Sequence, residues 1–563
     1  MDRIVINLGD FLKNAGIVGL NYILEDVICA EKDKDYGYTP DRQAIWISRD
    51  FALSCDWTDI YFKAFTKYYR DYSVYQAVID EINGILAVVE NDNFKLKGVK
   101  EKLKFINDKL LSNSYKSGFV SVKDQLDVIQ PYEELQAQKL KDTMDVKEVK
   151  RRLEELLRFL KQPVCEETFV MKSALYNYIN RFWDGKCFLL RANAAKNMRE
   201  VFEADFAVPL REYIKKSHDK EKDICIDCGN LISGKEKVSI AFMKDMADDL
   251  SRKRSAFWNC KVDAFLCPVC AYIYALAPLG FLIIGRRYVF VNVGSDIDNL
   301  LAANNKYSHE SIKSQKDTEK EERYSSWIAR TINILLGIKT KGLSNVQVIT
   351  RGINDADTYT FDVISKNVLS ILNDKGIKNS IDSLSKHPYV KNGPDYINVH
   401  ESVILNILRY RSQYDLLNTL LKIAIETNGV VYTAANVYDV QLRTNVHNID
   451  TDKKKGGIIM GRYSVRNRGY ELRKALLLAK GATDDSCIRG TVYQLLNALS
   501  VGNANKFMEI VLRVYCSTKL QVPNEFVECL GDQSRFKEYG YAFLLGLQGS
   551  HYEKKEKIGR AHV

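Results

Sequence analysis

The chain has 563 residues, 46% of them apolar, enough for about three or four domains or one large elaborated body. With only 9 prolines it has no long disordered linkers, and a net charge of +10 is modest for this length, so any anionic partner must be met by local patches. The start, Met1-Asp2-Arg3-Ile4-Val5, lacks the apolar run of a signal peptide, and the longest apolar stretch, Ala271 to Gly285, is broken by Pro278 and Gly280 and too short to span a bilayer. These features read as a cytoplasmic protein with no membrane association.

Asp10 caps a predicted helix through Phe11, Leu12, Ile17, Leu20 and Ile23. Gly16 and Gly19 within it cost helix propensity, which points to a close helix crossing. Ala44 to Ser48 reads as a short strand. From about Asp59 to Lys216 the pattern is mostly helical. Tyr61, Phe62, Phe65, Tyr68 and Tyr69 fall at helical spacing and are expected in the core rather than as a base-stacking platform. Glu148 to Leu160 predicts an amphipathic helix with Leu153, Leu156, Leu157 and Leu160 on one face and its charges in solvent.

The most specific motif follows. Cys225-Ile-Asp-Cys228-Gly229 and Cys267-Pro268-Val-Cys270 are two Cys-x-x-Cys pairs separated by residues 229–266. Each pair can place two thiolates on one ion from a tight turn, and four complete the closed tetrahedral shell of structural zinc. A redox dithiol or two unrelated pairs are the competing readings; the second pair and the absence of a thioredoxin-like βαβ context favour zinc. His218 and Cys260 lie nearby as candidate substitute ligands. A closed four-thiolate site leaves no position for a reacting water, so the expected role is architectural. The other cysteines are scattered without a disulfide framework, as in a reducing compartment.

Between the pairs, Arg252, Lys253 and Arg254 precede Phe257 and Trp258, a composition that suits a nucleic-acid contact and equally an exposed turn over buried aromatics. Residues 280–284 and 288–292 read as paired strands, with Gly285, Arg286 and Arg287 at the hairpin tip, where two arginines can reach a groove or phosphates. Residues 304–323 are expected as a loop or exposed helix, and 346–349 and 359–363 as further strands.

From Val399 helices dominate. Residues 451–516 carry twelve Lys or Arg against five Asp or Glu, a basic helical segment suited to tracking a nucleic-acid backbone, with Arg462, Arg466, Arg468, Arg473 and Lys474 as candidate contacts. Lys454-Lys455-Gly456-Gly457 reads as an exposed linker, or as the coding trace of a ribosome-binding site ahead of an internal start at Met460. The final Ile558-Gly-Arg-Ala-His-Val563 matches the translation of a common sequencing adapter, and no function is placed there. No P-loop, no His-Glu-x-x-His and no convincing two-metal carboxylate pair occurs; Asp248-Asp249 and Asp484-Asp485 fit helix surfaces or N-termini better, so nothing argues for an enzyme.

The fold class expected is α+β: a mixed N-terminal body with an inserted zinc-binding subdomain and a C-terminal helical bundle. The boundaries read as residues 1–222, 223–272, 273–398 and 399–563.

The paired Cys-x-x-Cys, the early Asn14-Ala15-Gly16-Ile17-Val18-Gly19 and the late Ala542-Phe543-Leu544-Leu545-Gly546-Leu547 together resemble the CXXC–CXXC group of CRISPR-associated proteins, the large subunit of type I-B Cascade. That resemblance implies a non-catalytic subunit that meets other Cascade subunits, the guide RNA, target double-stranded DNA and a helicase-nuclease, with a bundle that is small-subunit-like from about residue 460. It also implies recognition of the PAM and help in opening the strands, consistent with guide pairing carrying most of the specificity. No PAM-reading residue is carried over, because no motif here matches one residue by residue. A zinc-containing nucleic-acid-binding protein outside CRISPR and a structural partner-binding protein are the alternatives.

Overall fold

The computed structural model describes residues 3–89, 96–244, 264–284, 287–294, 296–304, 346–352, 358–427, 429–447, 452–528 and 533–551. Its fold is mixed α+β, with small antiparallel sheets among many helices. The chain divides into two compact units, one of residues 1–321 and 342–363 and one of residues 322–341 and 364–563.

The first unit opens with strand β1 (Arg3–Asn7) and helix α1 (Phe11–Tyr22), followed by β2 (Tyr36–Tyr38) and β3 (Ala44–Ser48). The three strands form a sheet in the order β1–β3–β2. Asp10 caps α1 as expected, its carboxylate accepting the Lys13 N–H at 2.8 Å. Helix α2 (Trp57–Tyr69) carries the aromatic stripe into the core: Tyr61, Phe62, Phe65, Tyr68 and Tyr69 are all buried. Tyr61 stacks on Phe65 and Phe202, with ring centroids 4.2 and 4.0 Å apart. The Tyr68 and Tyr69 hydroxyls are satisfied by the carbonyls of Phe281 and Pro278, both at 2.8 Å.

Helix α3 (Val146–Leu160) buries Leu153, Leu156 and Leu160 as its period requires. Its charges are not all in solvent. Arg152 is buried and donates to the carbonyls of Glu134 and Gln138 at 3.2 and 2.6 Å, closing the end of the neighbouring short helix.

After helix α4 (Val208–Lys215) the chain enters two minimal hairpins. Strand β4 (Asp223–Ile224) pairs with β5 (Leu231–Ile232), and β6 (Val238–Ser239) with β7 (Phe265–Leu266). Helices α5 (Pro268–Ala275) and α6 (Ala277–Gly280) follow and are buried except at the half-exposed Val269. They receive α1 at very close range. A Cβ on Gly16 would press into the Ile273 carbonyl, one on Gly19 into the Leu276 carbonyl, and one on Gly280 into the Ala15 carbonyl. The glycines of α1 therefore serve a close helix crossing, as their placement predicts.

Strands β8 (Leu282–Ile284), β9 (Arg287–Asn292), β10 (Val346–Gly352) and β11 (Tyr359–Ile364) make a four-stranded sheet in the order β11–β10–β9–β8. The register places Ile284 opposite Arg287, so Arg287 is the first residue of β9 and not part of the hairpin tip. It also pairs with Gly352 of β10.

Among its described residues the second unit is a helical assembly with one small hairpin, residues 389–398. Helix α7 (Val430–Val446), α8 (Asp452–Lys480), α9 (Ser486–Ser500) and α10 (Gln533–Leu547) pack around Leu472, Leu495, Leu499, Phe543 and Leu547, all buried. α8 and α10 approach closely: a Cβ on Gly546 would press into the Arg466 carbonyl, and one on Gly469 into the Phe543 carbonyl. Lys454 to Met460 lie inside α8, so the linker expected there is a helix. Among the described residues no helix is long and apolar enough to cross a membrane.

Candidate metal centre

The two hairpins and the start of α5 exist to aim four sulfurs. Cys225 leaves β4 and enters a tight turn. The Gly229 N–H donates to the Cys225 carbonyl at 3.0 Å, and the Cys225 N–H donates back to Asn230 at 2.8 Å. Gly229 sits at φ +73°, a conformation that glycine adopts at little cost. The Ile226 N–H donates to Phe265 at 2.9 Å and ties the first knuckle to β7, the strand that delivers the second. Cys267 is the N-cap of α5; its sulfur accepts the Cys270 N–H at 3.4 Å, and Pro268 occupies the first helical position, where no N–H is needed.

The result is a single cluster. The ligand atoms of Cys225, Cys228, Cys267 and Cys270 all lie within 4.8 Å of one another. A tetrahedral shell with Zn–S bonds of about 2.3 Å requires sulfurs about 3.8 Å apart. Cys228 Sγ and Cys267 Sγ are 3.7 Å apart. Four soft donors at this spacing can hold zinc in a closed tetrahedral shell, and among the described residues no fifth His, Cys, Asp or Glu joins the cluster. The hydrogen bond with Cys228 leads in drawing the Cys225 thiol well below its ordinary range, and that with Cys225 leads in pushing Cys270 far above it. A bound dication would be held by all four as thiolates.

Such a centre carries about two net negative charges inside the fold. Lys13 of α1 stands beside it, paired with a carboxylate of the first knuckle. Its side chain is 4% exposed and its Nζ lies 2.9 Å from Asp227 Oδ1, in the first knuckle. Burial pulls the ammonium down, but Asp227 and the sulfurs of Cys270 and Cys228 outweigh it and leave Lys13 above its ordinary value. Sequence reasoning missed Lys13, which as the third residue of a capped helix reads as solvated.

His218 is not a ligand. It stacks on Tyr213, centroids 4.1 Å apart, and its Nε2 lies 3.0 Å from Glu236 Oε2. Cys260 lies outside the described residues.

The candidate basic side chains differ in their surroundings. Arg252, Lys253, Arg254 and Arg286 lie outside the described residues, and Arg287 is half-buried at the start of β9. On α8, Arg462 pairs with Glu538 of α10 at 2.9 Å and lies 4.2 Å over the Tyr539 ring. Arg466 is buried between Ser550 and Asp439. Arg473 pairs with Asp485 at 2.5 Å. Arg468 and Lys474 are exposed, the first beside Glu471 at 3.2 Å and the second 4.5 Å over the Tyr470 ring.

No curated protein and no solved structure matches the chain. Residues 218–282, which hold both knuckles, the two hairpins and α5, match the family described as CRISPR-associated protein (Cas_CXXC_CXXC), and that match supports a CRISPR-associated role for the chain.

Proposed function

We propose that this chain is the non-catalytic large subunit of a type I-B CRISPR RNA-guided surveillance complex in the cytoplasm. In this role it recognises the PAM in duplex DNA, helps to open the strands and recruits the helicase-nuclease. The observation that carries the reading is the family match over residues 218–282, placed on a four-cysteine cluster with zinc geometry. The zinc that the cluster would hold is structural, and beside it the ion pair of Lys13 with Asp227 ties the first knuckle to α1. Guide pairing carries sequence specificity in such complexes, and the protein holds strands through phosphates. Exposed Arg468 and Lys474, with the basic segments at 252–254 and 286–287, are the candidate contacts.

Co-expression with the products of the neighbouring genes tests this. The tagged chain is expected to co-purify with backbone subunits and guide RNA, and the assembly to bind PAM-bearing duplex with an affinity that falls steeply with salt. A chain that purifies alone beside soluble partners, with no guide RNA, overturns the reading.

A further inference from the structure

The chain contains three Asn-Gly pairs, at 83–84, 392–393 and 428–429, and the fold holds the first two in opposite ways. Asn428 lies outside the described residues. Asn83 and Gly84 sit inside the helix Val74–Val89, where each amide N–H is tied to the carbonyl four residues back. Asn392 ends strand β12 (Tyr389–Asn392), and β13 (Asp395–Asn398) returns after the two-residue loop Gly393-Pro394. Gly393 stands at φ +61°, which suits the first central position of a type II′ turn. Among the described residues nothing accepts its N–H, and no atom lies within 4 Å of where a Cβ on Gly393 would stand. Asn83 and Asn392 are both exposed, so access to water does not separate the two pairs. The backbone does.

We propose that Asn392 is a site of self-modification, converted to aspartate and isoaspartate by attack of the Gly393 backbone nitrogen. The nitrogen loses its proton to hydroxide and forms a bond to Asn392 Cγ. The Cγ–Nδ2 bond breaks, Nδ2 takes up a proton, and ammonia leaves. Water then opens the five-membered imide at one of its two carbonyls, giving aspartate or isoaspartate. Nothing is oxidised or reduced, and hydroxide and water are the only co-reactants. Ring closure asks the Asn392 backbone to rotate and the next nitrogen to be free of other bonds. At the hairpin tip that costs at most the last ladder pair, Asn392 with Asp395. Around Gly84 it costs helical hydrogen bonds, which is a local unfolding.

The register also sets the consequence. Asp395 stands directly opposite Asn392, so the product places two carboxylates face to face, and like charges in that position weaken a strand pair. Isoaspartate further adds a methylene to the main chain and puts the strand out of step with its partner. Modification therefore loosens this hairpin. The inference requires only the turn and its register and does not rest on the CRISPR reading.

Peptide mass spectrometry on the full chain tests it. The folded protein is held in mildly alkaline buffer, sampled over days and digested under acid conditions that stop the reaction. The peptide with Asn392 is expected to gain about 1 Da and to split into two chromatographic species, aspartate and isoaspartate. The peptide with Asn83 should lag at least about tenfold in rate. In a parallel sample unfolded in urea the two peptides should convert at similar rates, because only the fold distinguishes them. Equal rates in the folded chain, a gap that persists in urea, or conversion of Asn392 to aspartate with no isoaspartate each overturns the proposal.

Discussion

Lys13 and Asp227 meet at 2.9 Å with side chains 4% and 11% exposed, and they stand 214 positions apart in the chain. The pair joins the first helix to the first cysteine knuckle. Burial holds the Asp227 carboxyl above its ordinary value and Lys13 pulls it back, so neither charge is comfortable without the other.

Lys13→Met should therefore be costly. Removing one partner of a buried ion pair typically destabilises by about 3–5 kcal/mol, because the other charge is left unpaired. The expected outcome is a lower melting temperature and faster metal loss to a chelator. Adding Asp227→Leu should recover much of the melting temperature. A Lys13→Met protein as stable as the parent would show that the pair lies outside the stabilising core.

Elemental analysis of purified protein is expected to find about one zinc per chain, as a closed four-cysteine shell holds a single ion. Cys225→Ser should lose most of that metal and lower the soluble yield, since metal binding supplies much of the folding energy of a small clipped subdomain. Full zinc content in the variant would remove Cys225 from the ligand set.

The glycine contacts predict opposite signs at different positions. Gly16→Ala and Gly280→Ala place a methyl against the backbone carbonyls of Ile273 and Ala15, which cannot swing away. Overpacking of this kind costs about 1–3 kcal/mol, occasionally more. Gly461 lies in α8 with open space where its Cβ would stand, so Gly461→Ala should stabilise by about 0.5–1 kcal/mol. Thermal denaturation of the three variants reads both directions at once.

Asp439 in α7 gives the second unit a pH dependence. Burial raises its carboxyl to about 6, against the opposing charges of Arg466 and Arg443. The folded state thus keeps a proton that the unfolded state releases at its ordinary value of 3.8. The contribution of this group is full below that value and is lost as pH rises through about 6. The loss amounts to about 3 kcal/mol at most, from about 1.4 kcal/mol per pKa unit. Asp439→Asn should flatten the fall in melting temperature between these two pH values. An unchanged slope in the variant would assign it to another group.

Much of this architecture is legible in the chain. The aromatic stripe, the capped α1 with its glycine face, the strand at Ala44–Ser48 and the four cysteines stand where periodicity and spacing put them. What is not legible is how buried charges are answered. Periodicity marks the apolar face of a helix but says nothing of a carboxylate or carbonyl that arrives from elsewhere in the chain. Arg152 finds two helix-end carbonyls, Lys13 finds Asp227, and Arg462 finds Glu538. The count of basic residues in α8 likewise carries no direction, and Arg462 and Arg466 are spent on bracing their own bundle. The hairpin register was open for a related reason, since a one-residue slip decides whether an arginine sits on the tip or in the strand.

The pairing of β6 with β7 has a consequence for how the two knuckles respond to load. Ile240 donates its N–H to Ala264 at 3.1 Å and Ile226 donates to Phe265 at 2.9 Å, so the strand that leads into Cys267 is clamped both to β6 and to the first knuckle. A pull on β4 is therefore passed through backbone bonds to the second cysteine pair, and the four sulfurs move as one piece until those bonds part.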